Sequence, residues 1–183
     1  LQARLNLTHE QAAGLVGNLA TETGNFKHMQ EIDPVVEGSA GGWGYAQWTG
    51  PRRRQFEAYA DGRGLARDSY EANLDFLVHE FNTTERAAYN RLLAAGTTEE
   101  AAYAVMDGFL RPGVPHWDSR RGYAEEFANG NYNGSGVAGP GTIFGSGFAG
   151  YEPPATPIDT YTPEALMPWK SISLGSVPPG RAM

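Results

Sequence analysis

The chain changes character at Asn129, and that change limits what it can fold into. Of its 12 prolines and 24 glycines, 8 and 10 respectively fall in the last 55 of 183 residues. A run such as Asn129-Gly130-Asn131-Tyr132-Asn133-Gly134-Ser135-Gly136 cannot bury enough apolar surface to offset the entropy of ordering it. The folded part is therefore expected to be residues 1–128, long enough to bury a sizeable core, and residues 129–183 an extended Gly/Pro-rich tail. On composition the tail reads as a flexible linker. Its scattered large side chains (Phe144, Phe148, Tyr151, Tyr161, Trp169) instead suit docking along another protein of a larger assembly.

Before that boundary the pattern is helical. Thr8 and Gln11 form a T-x-x-Q capping box, with Leu7 as a staple residue, and Ala12, Leu15, Val16 and Leu19 then recur at helical spacing. Glu22 continues that series and Gly24 stops it. Further helices are expected from Pro51 to Asp61, after an Asp68/Glu71 capping pair through Leu74, Leu77, Val78 and Phe81, over Thr84–Ala95, after a Thr97/Glu100 box through Phe109, and over Asp118–Phe127. Between the first two lies turn chemistry, Asp33-Pro34 and Glu37 to Gly42. Trp43-Gly44-Tyr45-Ala46-Gln47-Trp48 alternates weakly and is expected as a short strand of a β-hairpin. The fold class is mainly α with this one small β excursion.

Charge and composition exclude several functions. The net charge is −7, and residues 1–128 carry 12 Lys and Arg against 18 Asp and Glu, a balance of −6. Apart from Arg52-Arg53-Arg54 there is no basic stripe, so no nucleic-acid partner is expected. Absence of cysteine removes disulfides, thiolate ligands and thiol nucleophiles. His9, His28, His79 and His116 have no metal-ligand spacing, so neither metal nor cofactor is expected. No G-x-S-x-G elbow or phosphate-binding loop occurs. No apolar run approaches a membrane span, and no secretory signal is present. The chain begins at Leu1 rather than Met and is expected to be part of a longer polypeptide within a multi-chain assembly.

Two stretches carry chemistry. In Thr21-Glu22-Thr23-Gly24-Asn25-Phe26, an acid stands at a helix C-terminus, where the helix dipole disfavours a carboxylate. That is a poor place for a structural anion and a usable one for an acid. In Gly41-Gly42-Trp43-Gly44-Tyr45-Ala46-Gln47-Trp48, stacking rings and an amide alternate with glycine, which suits the floor of a sugar-binding cleft; Trp43 and Trp48 taken alone read equally as core. An isolated carboxyl beside such a wall is the minimum kit for cleaving a glycosidic bond. A second carboxylate would come from Glu31, Asp33 or Glu37, each of which also reads as a solvated loop charge. Glu31 is the choice, because Ile32 beside it can anchor the loop. Without one, the substrate's own hydroxyl or acetamido group takes over.

In these residues the chain resembles the phage tail lysozymes of the lysozyme-like superfamily. The resemblance spans roughly Leu7 to Phe127. It rests on Ala12-Ala13-Gly14-Leu15-Val16-Gly17-Asn18-Leu19 leading to Glu22, on Gly44-Tyr45-Ala46-Gln47-Trp48-Thr49-Gly50-Pro51-Arg52-Arg53, on Leu74 to Glu80 and on the Arg111-Pro112-Gly113 turn. It implies a lysozyme-like α+β fold with the hairpin beside the cleft, Glu22 as the acid, and Gln47 and Tyr45 at the glycan. It also implies a tail-mounted enzyme that opens the bacterial cell wall locally during entry, delivered mechanically, in keeping with the acidic charge. Where members usually carry Ser after the acid, this chain has Thr23. The expected function is therefore a muramidase cleaving MurNAc–GlcNAc bonds of peptidoglycan. Its catalytic residues would be Glu22 and Glu31, with Trp43, Tyr45, Gln47, Trp48 and Arg52 at the substrate, Arg52 toward its lactyl or peptide carboxylates. The alternatives are a lytic transglycosylase using the same acid and an inactive tail component that binds glycan. The resemblance says nothing of residues 129–183, whose expected partners are other virion tail proteins.

Overall fold

In the computed structural model of the protein, residues 1–31 and 40–130 are described. They form seven α-helices, α1 (Gln2–Leu5), α2 (His9–Glu22), α3 (Gly50–Asp61), α4 (Tyr70–Asn82), α5 (Arg86–Ala94), α6 (Thr98–Ala104) and α7 (Trp117–Ala128), with a π-helical turn, Val105–Leu110, continuing α6. The chain is mainly helical, and no residue among those described lies in a strand.

α2 is the central element. Its capping box forms as the sequence implies: Gln11 N donates to Thr8 Oγ1 at 3.2 Å, and Thr8 N donates to Gln11 Oε1 at 3.0 Å. Two glycines then let other helices approach its backbone. A Cβ on Gly14 would lie 2.6 Å from Ala102 N on α6, and one on Gly17 would lie 2.5 Å from Ala124 N on α7. Real Cβ atoms do not sit at such distances, so both contacts depend on the absent side chain. α2 accordingly packs along α6 and α7. Leu15 and Leu19 enter the main core, while Ala13, Val16 and Ala20 join Phe127 in a smaller one.

The main core is aromatic at its centre. Trp48 stacks on Phe56 at 4.8 Å between ring centroids, Phe76 meets both edge-on at 5.0 and 5.5 Å, and Phe81 lies against Phe109 at 4.6 Å. Burying each such ring contributes about 1.5–3 kcal/mol, so this cluster fixes how α3, α4 and the segment before α3 sit together.

Local departures from the sequence reading have local causes. The cap of α4 is Ser69 rather than Asp68: its Oγ accepts from Ala72 N at 3.1 Å. Thr97 caps α6 as expected, but the Glu100 carboxylate turns to Gly96 N at 2.8 Å and so leaves the box half made. The expected hairpin is reduced to its closing pair. Trp43 N donates to Trp48 O at 3.0 Å and Trp48 N to Trp43 O at 2.9 Å, while Trp43 also bridges Gln30. Between them Gly44 and Gln47 adopt positive φ (78° and 47°), which makes residues 44–47 a turn rather than a strand. Gly44 is required there twice over, since a Cβ would also lie 2.4 Å from Asn73 Oδ1, the acceptor for Tyr45 N.

Candidate active site

Glu22 is the last residue of α2. Thr23 caps the end from inside: fully buried, its hydroxyl donates to Leu19 O at 2.7 Å and accepts from Phe26 N at 2.8 Å. Gly24, Asn25 and Phe26 follow with φ of 56°, 66° and 60°. Three consecutive left-handed residues, the last an aromatic, are costly and persist only where the surroundings dictate them. The turn delivers the Phe26 ring edge-on to Tyr45 at 5.6 Å, and that contact joins the end of the acid's helix to the aromatic segment.

The Glu22 carboxyl is not isolated as the sequence reading had it. Arg120 Nη2 donates to Glu22 Oε1 at 2.7 Å; the Glu22 side chain is 18% exposed and that of Arg120 only 2%. Arg120 Nη1 reaches Asn18 Oδ1 at 3.0 Å, and Nε reaches Pro115 O at 2.6 Å. Asn18, one turn before Glu22, donates to Gly14 O and Ala102 O, both at 2.9 Å. The side-chain polar atoms of the buried Asn18 and Arg120 are thus all partnered, as a low-dielectric interior demands. Sequence reasoning missed Asn18 and Arg120. The available signal was Asn18 itself, an amide four residues before Glu22 on the buried face of an apolar helix.

In the aromatic segment, Trp43, Tyr45 and Gln47 are half-buried and alternate with buried Gly44, Ala46 and Trp48. Trp43 donates its Nε1–H to Arg67 O at 3.3 Å and lies beneath the Arg53 guanidinium at 5.4 Å. Tyr45 packs between Phe26 and Tyr70, and burial pushes its phenol above the usual tyrosine range. The Gln47 amide donates to Gly44 O at 2.9 Å and Met29 O at 3.3 Å, bracing the turn.

Trp48 and Arg52 both meet the Glu80 carboxylate. Trp48 is 1% exposed, ring-packed in the core, and donates to Glu80 Oε2 at 2.7 Å, so it offers no face to a sugar. Arg52 forks onto the same carboxylate, Nε to Oε1 and Nη2 to Oε2, both at 2.8 Å, and its Nη1 donates to Phe109 O at 3.1 Å. Its guanidinium sits over the Phe109 ring at 4.7 Å. Through these bonds Arg52, its side chain 24% exposed, neutralises the buried Glu80. Arg53 clamps the returning loop through Gly41 O at 3.0 Å, through Ala40 O and through Gln30 Oε1.

Glu31 closes the other side of that loop. Its Oε2 accepts from Gly42 N at 2.7 Å, and its own N donates to Gly42 O at 2.9 Å. Asp33 and Glu37 lie outside the described residues, as do the tail side chains named above. Among the described residues no group of three or more His, Cys, Asp or Glu could hold a metal ion, and no helix is long and apolar enough to cross a membrane. An open groove lined by Arg91, Thr97, Tyr103 and Trp117 contains none of the candidate residues.

No curated protein sequence matches the chain. The family model described as phage tail lysozyme matches residues 1–130. A match over that much of a 183-residue chain shows its kinship: the chain belongs to the phage tail lysozyme family.

Proposed function

We propose that the protein is a muramidase of a phage tail, cleaving the MurNAc–GlcNAc bond of peptidoglycan where the tail meets the host cell wall. Family membership supports a lysozyme-like peptidoglycan hydrolase. The observation that carries the finer reading is Glu22: a partly exposed carboxyl at the end of the central helix, joined through Phe26 to the half-buried Tyr45. Glu22 gives its proton to the glycosidic oxygen, which leaves with the electron pair of the broken bond. The hydroxyl of a water ends on the anomeric carbon, and the water's other proton passes to a second carboxylate, Glu31. Trp43, Tyr45 and Gln47 are the side chains that meet the sugar. Residues 1–128 form the catalytic domain, and residues 129–183 run over other virion tail proteins.

One observation favours a second reading. The Glu31 carboxylate is already engaged by Gly42 N. If that bond holds during turnover, the sugar's own hydroxyl attacks in place of water, as in a lytic transglycosylase. Digestion of purified peptidoglycan by the full chain, with products read by mass spectrometry, separates the readings. Reducing-end muropeptides support the muramidase, with Glu31→Gln slowing their release. Anhydro ends make the protein a transglycosylase and remove Glu31 from the mechanism. No released muropeptides at all would make it a glycan-binding tail component.

A further inference from the structure

Resting on Glu22 as the acid, we propose that Arg120 is a positioning residue that decides which oxygen of Glu22 delivers the proton. A guanidinium carries only donors. Glu22 Oε1, facing Arg120 Nη2 at 2.7 Å, accepts in that direction, which favours the acidic proton on the other oxygen, Oε2. Arg120 fixes that choice because its other nitrogens are held in turn. Pro115 O holds its Nε, Asn18 Oδ1 holds its Nη1, and Asn18 is tied to the backbones of α2 and α6. The acid and its clamp are thus referenced to the same helix, one turn apart.

The pair also acts on the chemical step. As the proton leaves Oε2 for the glycosidic oxygen, and the electrons of the breaking bond follow to that oxygen, negative charge develops on the Glu22 carboxyl. A guanidinium already in place beside Oε1 stabilises that charge without reorganising at the moment of reaction. Arg120, its side chain 2% exposed, is shielded from a bound glycan. Its effect therefore belongs in kcat rather than in binding.

The test uses the full chain on soluble peptidoglycan fragments, with kcat and KM measured at a temperature where circular dichroism shows each variant folded. Arg120→Gln is expected to lower kcat about 10- to 100-fold, the scale of a misplaced catalytic group, with KM within about threefold. Arg120→Lys, keeping the charge but losing the fork, falls between Arg120→Gln and wild type. In a Glu22→Gln background Arg120→Gln has no further effect, because Arg120 acts through Glu22. Arg111→Gln, which removes an exposed pair with Glu85, leaves kcat unchanged and controls for general loss of an ion pair. Wild-type kcat in folded Arg120→Gln, a rise in KM alone, or a further loss in the Glu22→Gln background would each overturn the assignment. Should Arg120→Gln not fold, Arg120→Lys decides: a lower kcat at unchanged KM supports the role, and an equal kcat overturns it. If Glu22→Gln itself is fully active, the proposed acid is wrong, a distinct outcome from a wrong role for Arg120.

Discussion

Gly17→Ala tests whether α2 and α7 meet at their backbones. In an exposed helix interior this exchange stabilises a protein by about 0.5–1 kcal/mol, since Ala is the better helix former. At Gly17 the added Cβ would lie 2.5 Å from Ala124 N and 2.7 Å from Ala124 Cα. Favourable contact needs about 3.5–4.0 Å, so α7 would have to retreat by roughly 1 Å. Overpacking of that kind costs about 1–3 kcal/mol, leaving a net loss of up to about 2.5 kcal/mol and a fall in Tm of up to about 10 °C for a domain of this size. α7 supplies its own control, because a Cβ on Gly122 meets nothing within 4 Å. Gly122→Ala should stabilise by about 0.5–1 kcal/mol. Thermal unfolding followed by far-UV circular dichroism reads both variants. Because α7 carries Arg120, Gly17→Ala should also slow peptidoglycan digestion while still folded, and Gly122→Ala should not. Shifts of the same sign in the two variants would refute the close approach.

Three further outcomes follow from the packing. Glu80→Ala removes the acceptor for Trp48 and both Arg52 bonds and should cost about 3–5 kcal/mol in urea unfolding, because it strands buried donors. Ser69→Ala should cost about 1 kcal/mol and Asp68→Ala close to nothing, since Ser69 alone caps α4. Burial first, and then the Arg63 charge, push the His79 ring below the ordinary histidine range against a smaller opposite pull from Glu80. The unfolded chain therefore takes up that proton first. The contribution of neutral His79 is complete above its unfolded value of 6.5 and is lost as pH falls below it. Stability measured between about pH 7 and about pH 5 should fall, and less steeply in His79→Gln.

The parts of this molecule that were legible in its sequence are those decided within a few residues. The Thr8/Gln11 box, the apolar series through Leu19 and the helix-ending glycine at position 24 are local statements, and each holds. The Asp68/Ser69 miss is also local: two adjacent capping residues compete, and only backbone geometry chooses between them. Trp48 and Arg52 show why an aromatic run cannot be assigned from composition. What draws both inward is Glu80, about thirty residues away on α4, which offers one carboxylate to the indole and the guanidinium together. Arg120 was out of reach for the same reason, lying 98 residues from the acid it touches. Asn18 was the readable hint, since a buried amide on an apolar face requires a polar partner. The expected strand from Trp43 to Trp48 was not legible as a turn: left-handed Gly44 and Gln47 fold residues 44–47 back between the bridged Trp43 and Trp48.

The central claim is that Glu22 is the acid. Purified peptidoglycan should be digested with the full chain and with Glu22→Gln, both shown to be equally folded, and the release of muropeptides followed over time. Loss of at least about 100-fold in the variant, the scale of removing a general acid, is the predicted result. Equal release from the two proteins would contradict it and move the search for the acid elsewhere in the chain.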